Sequence, residues 1–238
     1  MGQITVNKAE EIYQILRQDI VEVRLLPNTP LRLSAICERY QVGSTPLREA
    51  LTRLEMEHLV GSAANKGFFV APVSVDELAD LTKTKGFFEI QLLRESMSFG
   101  NREWEANIVA AHYSLANEVS PLDPETNEEN FKSWARLHTA FHVSLISANR
   151  APWLERFYNE VADHMRRHGR ALRQMSNAHT ESAQAALQAS PAMQKASSLE
   201  PHTELMDAVI KRQADKVEML IVEHNKLTML AYEELGVI

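Results

Sequence analysis

The chain has 238 residues, 25 Lys+Arg against 32 Asp+Glu for a formal net charge of −7, and 45% hydrophobic residues. That is the make-up of a globular protein of one or two domains with a real core. It excludes a uniformly basic nucleic-acid binder, and no run reaches the roughly 18 apolar residues of a membrane span.

Met1–Val6 has no charged start followed by an apolar stretch, so no signal peptide is expected. Cys37 is the single cysteine and cannot form an internal disulfide, which fits a cytoplasmic protein. Residues 1–75 carry 8 basic and 8 acidic side chains, and residues 76–238 carry 17 and 24. The acidity therefore lies wholly in the later part, and any DNA contact must come from a local patch of the neutral part.

From Ala9 to Val23, apolar residues recur at Ile12, Leu16, Ile20 and Val23, the spacing of an amphipathic helix. Leu25-Leu26-Pro27-Asn28-Thr29-Pro30 breaks it. Ser34 is placed to cap a short helix bearing Ile36, Cys37 and Tyr40 on one face, and Gln41-Val42-Gly43 reads as a tight turn. Leu47, Ala50, Leu51 and Leu54 give the next helix its apolar side. Thr45 is the expected N-cap, Pro46 the first helical residue, and Glu49 a first-turn carboxylate. The other side carries Ser44, Thr45, Arg48 and Thr52, which suits either a major-groove reader or an ordinary capped surface helix. Helix, short helix, turn, helix is the helix-turn-helix order. Leu59 to Pro72 then reads as two short strands around Asn65-Lys66-Gly67, a wing whose tip offers a charge, amides and a close backbone.

Ser74 and Glu77 form a capping-box signature opening a second region. Helices are expected from there to about Phe99, from Glu103 to Asn117 with Ile108, Val109, His112 and Leu115 inward, from Phe131 to Ala148, and from Trp153 to about Met175. Residues 176–198, rich in Ser, Ala and Gln, read as a loop with a short helix around 181–189. His202 to Lys211 and Asp215 to Leu235 are the last two helices. The expected fold is therefore mainly α: a winged helix-turn-helix over residues 1–73 and an antiparallel all-helical bundle over 74–238.

His138 and His142 are four apart and share a helix face, while His202 and His224 stand on two other helices. Imidazoles from three helices meeting in a bundle form a metal site of the zinc, nickel or manganese kind. The pair alone is a weak signal, and its plainer reading is two polar core or surface histidines. Arg166, Arg170 and Arg173 share a face that is either a solvated stripe or a cavity wall.

The first 75 residues resemble the GntR family of transcription regulators. The resemblance rests on Leu25-Leu26-Pro27, Leu31-Arg32, Val42, Thr45-Pro46-Leu47-Arg48-Glu49-Ala50-Leu51, Leu54, Leu59-Val60 and Asn65-Lys66-Gly67-Phe68-Phe69-Val70-Ala71. It implies DNA contacts at Arg32, Ser44, Thr45, Arg48, Lys66 and Gly67. Gly43-Ser44 departs from the family, which has an Arg after the Ser, and Asn28 stands where a Gly is usual. The second region resembles, more loosely, the FCD ligand-binding domain of FadR-type members. That likeness implies a divalent metal held by His138, His142, His202 and His224, with His138 in the place of an Asp and His202 and His224 spaced 22 apart. It also implies a small carboxylate effector near Lys85, four residues before Glu89, with Arg166 and Arg170 as further basic candidates.

The function expected is a DNA-binding regulator acting as a repressor. It would be a homodimer on a short palindromic operator, responsive to a carboxylate metabolite, with no membrane partner. The alternative is a metal-dependent enzyme built on the bundle, which would need an open metal position and a general base.

Overall fold

The computed structural model describes residues 8–64, 66–123, 125–175 and 189–234. They form α1 (Lys8–Val21), α2 (Leu33–Tyr40), α3 (Ser44–Met56), β1 (Val60–Ala63), β2 (Gly67–Val70), α4 (Val75–Phe99), α5 (Arg102–Ala116), α6 (Glu128–Ile146), α7 (Pro152–Met175), α8 (Pro191–Ser197), α9 (Leu199–Ile210) and α10 (Ala214–Glu234). The chain divides into two compact units, Met1–Leu78 with Asp163–Met175, and Ala79–Ala162 with Ser176–Ile238. The expected mainly helical fold with a winged helix-turn-helix and a helical bundle is what is observed.

In the first unit, Ile12, Leu16 and Ile20 of α1 pack with Ile36 of α2 and with Leu47, Ala50, Leu51 and Leu54 of α3. Each helix is thus held by its apolar stripe, which leaves its polar side outward. Three local expectations shift. Gly43, not Thr45, is the N-cap of α3, with no side-chain cap, so Ser44 and Thr45 are the first helical residues and Glu49 lies beyond the first turn. Proline fits there because the N–H groups of the whole first turn lack intrahelical acceptors. Arg32, not Ser34, is the N-cap of α2. The turn after α2 is made by Gln41, whose φ of 52° and N–H to Cys37 O close the helix in the left-handed conformation.

The wing strands pair antiparallel with Val60 opposite Val70 and Ala63 opposite Gly67. Gly67 has φ 69°, the conformation that glycine adopts without steric cost. Asn65 lies outside the described residues. A third segment joins this sheet: Asn28 N–H donates to Val70 O at 2.9 Å, Val70 N–H to Thr29 O at 3.0 Å and Leu31 N–H to Phe68 O at 2.8 Å. Asn28 takes φ 65°, so it does what a glycine would do at that turn.

The second half of α7 completes this unit through polar contacts. Arg17 bridges Glu57 at 2.9 Å and Asp163 at 2.7 Å. His168, buried, has Nε2 2.9 Å from Glu77 Oε2, so that carboxylate pairs with histidine while Ser74 Oγ alone accepts the Glu77 N–H. Arg167 is 1% exposed, and its guanidinium donates to the carbonyls of Ala71 and Pro72. Burial pushes its pKa down to about 10, against the opposing pull of Glu77.

The second unit is built round Leu92, Leu93, Ile108, Phe141, Leu145, Leu205, Val209 and Ile221 from α4, α5, α6, α9 and α10. On α5, Ile108 and Leu115 are buried as expected, but Val109 is 47% exposed. It follows Ile108 directly and so points some 100° away on a helix. α6 starts three residues earlier than expected, at an Asn127–Asn130 capping box. The short helix expected around 181–189 falls almost wholly outside the described residues. A helix does form at Pro191–Ser197, where a loop was expected. Pro191 is its first residue after the Ser190 cap, a favoured position for proline, not a breaking one.

Arg167 gives the first stability test. Arg167→Ala should cost about 2–3 kcal/mol by leaving two carbonyls unpartnered and a void. Arg167→Met, which retains the stem, should cost less. Thermal unfolding of the two full-length variants measures this, and an unchanged midpoint in Arg167→Ala would show that the guanidinium does not hold residues 71–72.

Candidate DNA-reading surface and candidate metal centre

With Leu47, Ala50, Leu51 and Leu54 buried, the helical period turns Ser44, Thr45, Arg48 and Thr52 outward, and all four are exposed. Arg32, at the start of α2, is exposed, as are Lys66 and Gly67 at the wing. The six residues expected to touch DNA are therefore all available at the surface of the first unit. The start of α3 adds the amides of Ser44 and Thr45 and the positive end of a helix dipole, groups that suit a phosphate.

The second unit brings the four histidines together. His138 and His142 come from α6, His202 from α9, and His224 from α10. One ring nitrogen from each lies within 4.8 Å of the others. Ring centroids stand 4.7 Å apart for His138 and His142, 5.0 Å for His142 and His224, and 5.1 Å for His202 and His224. His202 is one turn inside its helix, not at the start, because α9 begins at Leu199.

Hydrogen bonds set the state of two of these rings. His202 Nδ1 is 2.8 Å from Ser198 O, a carbonyl that can only accept, so Nδ1 carries the proton and Nε2 a lone pair. His142 Nδ1 is 3.2 Å from Glu89 Oε1, which assigns its proton in the same way. The two Nε2 atoms are buried without a hydrogen-bond partner. An unsatisfied buried acceptor costs about 1–3 kcal/mol. Two lone pairs left bare inside one cluster are what a cation would complete, so the residues fit a divalent metal. Burial, then the neighbouring imidazoles, hold His138 and His224 well below the ordinary histidine range. The same causes bring His202 down to about 4. These three rings are neutral at neutral pH, the form that binds metal.

Glu89 is buried and pairs with Lys85 at 2.6 Å. Burial raises its pKa, but the Lys85 ammonium and His142 outweigh that, so it is held below the ordinary carboxylate range. A carboxylate on the outer nitrogen of a ligand histidine fixes its tautomer and strengthens it as a ligand. Glu89 is thus engaged on both sides, by Lys85 and His142, rather than free to act as a general base. Trp134 stacks on His138 with centroids 4.8 Å apart and planes 22° from parallel. Neither role is assigned by the sequence reading. The signals were present, though: an acid inside the apolar run Phe87-Phe88-Glu89-Ile90, and Trp134, His138 and His142 at successive four-residue steps.

Of the basic residues expected near an effector, Lys85 adjoins this group through Glu89 and also lies over the Tyr158 ring at 5.4 Å. Arg166 and Arg170 belong to the first unit, where Arg166 pairs with Asp163 and Arg170 donates to Val21 O at 3.3 Å. The side chain of Arg173, and His179, lie outside the described residues. His112 Nε2 is 2.8 Å from Thr203 Oγ1, a structural contact.

Comparison with known proteins agrees with this geometry. Residues 8–70 match the gntR family of bacterial regulatory proteins, and residues 80–227 match the FCD domain. The chain is 31% identical over 231 residues to the HTH-type transcriptional regulator BphR of Paraburkholderia xenovorans, covering 96% of this chain and 86% of that protein. It is 33% identical over 135 residues to the HTH-type transcriptional repressor GlaR of Escherichia coli, covering 57% of this chain and 60% of that one. Among solved structures, McbR/YncC of Escherichia coli shares the fold with a TM-score of 0.70 at 15% identity, over 96% of this chain and 99% of that one. A GntR regulator from Rhodococcus sp. RHA1 follows at 0.64 and 18%, over 96% and 98%. Family and relatives are transcription regulators, not enzymes. The chain belongs to the GntR family of DNA-binding transcription regulators and carries its effector domain, FCD.

Proposed function

We propose that this regulator is a repressor whose hold on a short palindromic operator is set by a small carboxylate bound near a divalent metal in the helical unit. The observation that carries the reading is the four-histidine group, two of its members buried with bare Nε2 lone pairs, placed beside the Lys85 ammonium. His138, His142, His202 and His224 hold the ion. The ion supplies a positive centre to which a carboxylate oxygen can bind, and Lys85 offers the second charge. Arg166 and Arg170 belong to the first unit and this reading does not need them, whereas Lys85, though paired with Glu89, stands with the histidines in the second unit.

The DNA-binding part is residues 1–73 and the effector part 74–238. Arg32, Ser44, Thr45, Arg48, Lys66 and Gly67 touch the operator, with Arg48 and Thr45 reading bases and Lys66 on the backbone. Repression is favoured by the likeness to GlaR, itself named a repressor. A homodimer, working in the cytoplasm where its operator lies, is favoured by an aromatic face on the helical unit. Phe87 and Trp153 are 62% and 66% exposed, and Phe88 stacks on Phe157 at 6.3 Å. Contiguous exposed aromatics of this kind belong to association surfaces. No described helix is long and apolar enough to cross a membrane.

Three outcomes test this. Arg48→Ala should lose about 1–3 kcal/mol of operator affinity and relax base preference, with the thermal midpoint of the bundle unchanged, whereas Lys66→Ala should weaken all DNA evenly and flatten the salt dependence. Retained operator affinity in Arg48→Ala would mean that α3 does not read the groove. Tag-free protein purified without chelator should contain about one divalent ion per chain, lost in His142→Ala/His202→Ala; equal metal content in the double variant would remove the centre. Finally, a screen of small carboxylates should raise the midpoint of metal-loaded protein and not of Lys85→Ala. Equal shifts in both would exclude Lys85 from the effector site.

A further inference from the structure

We propose that His138 sets the metal preference of this centre, making it selective for zinc, nickel or copper over manganese and magnesium. This rests on the metal reading above and goes beyond it by naming the residue that chooses the ion. Four imidazoles converge, and among the described residues no carboxylate joins the atoms that gather within 4.8 Å of one another. The nearest acid of the group, Glu89, faces the outer nitrogen of His142 and is neutralised by Lys85. The inner shell is therefore all nitrogen and carries no negative charge.

Neutral imidazole nitrogen suits zinc, copper and nickel, whereas manganese and magnesium draw their affinity from carboxylate and water oxygens. Every divalent ion must give up part of its water to enter this shell, and the hard ions lose most when no anionic oxygen replaces it. An Asp in place of His138 would bring an oxygen to the helix face that also carries His142. His138 shares the inner face of α6 with His142, and its centroid is 4.9 Å from that of His202 and 5.8 Å from that of His224. Trp134 and His224, both near-parallel to the ring at 4.8 and 5.8 Å between centroids, help to keep it in the cluster. That removes much of the rotamer freedom that binding would otherwise have to quench. A site held open in this way discriminates by ligand type, because it needs little rearrangement to accept an ion.

The experiment compares apo protein and His138→Asp, both tag-free, by competition titration with manganese and nickel. The readout is the ratio of the two dissociation constants, not the affinity for either. Wild type should favour nickel strongly, and His138→Asp should narrow that preference at least ~10-fold by gaining manganese. A ratio unchanged by His138→Asp, with both proteins still binding nickel, would overturn the role of His138 while leaving the metal centre intact. Failure of wild type to bind either ion would instead overturn the centre itself. Pulsed electron paramagnetic resonance of copper-loaded wild type needs no variant and covers the case in which His138→Asp does not fold. Remote-nitrogen modulation from four imidazoles supports the inference, and a count of three or fewer contradicts it.

Discussion

Four imidazoles gathered from three helices, with one ring nitrogen of each within 4.8 Å of the others, form the constraint around which the second unit is arranged. His142 and His202 are each fixed by the outer N–H, which donates to Glu89 and to Ser198 O respectively. Each is left with an inner lone pair that no described group satisfies. The Lys85–Glu89 pair makes this possible. It keeps a carboxylate ionised in a buried position, and that carboxylate holds the His142 proton on the outer side. An ion pair in such a place adds little net stability, since desolvation offsets its attraction. Its value lies in orienting the histidine that it touches.

The first unit follows a different logic. Its core is apolar and its outward side is polar, so a short helix with a small, bare N-terminus is available for DNA. Gly43 as the cap leaves Ser44 and Thr45 inside the helix, with hydroxyls and amides at one end and Arg48 one turn further on. Because Gly43-Ser44 lacks the family's extra Arg, the charged contribution of this helix start falls on Arg48. The wing is anchored more firmly than a two-stranded hairpin, since residues 28–31 pair with β2. The buried Arg167 and the Glu77–His168 contact bind the chain after the wing to the second half of α7.

Much of this was legible in the sequence. Ile12, Leu16 and Ile20 announced α1, and Leu47, Ala50, Leu51 and Leu54 the inner side of α3, because burial imposes a helical period on apolar residues. The histidine cluster was legible because two members lie four apart on one helix and the family pattern supplied the other two. What was hidden depended on distance along the chain or on inward-facing polar groups. The pairing of residues 28–31 with β2 joins segments some forty residues apart and leaves no local pattern. Arg167 lies off the face shared by Arg166, Arg170 and Arg173, and nothing in that spacing marks it as buried against backbone carbonyls. Pro46 and Pro191 each signalled a helix start or a break without fixing the register, since proline fits throughout a first turn.

The most direct test is X-ray absorption at the metal edge of the protein as purified, without added ion. A divalent metal ringed by imidazoles, with strong outer-shell scattering from the ring carbons, is the predicted spectrum. An oxygen-only shell, or no bound metal in protein that still folds and binds its operator, would contradict the account.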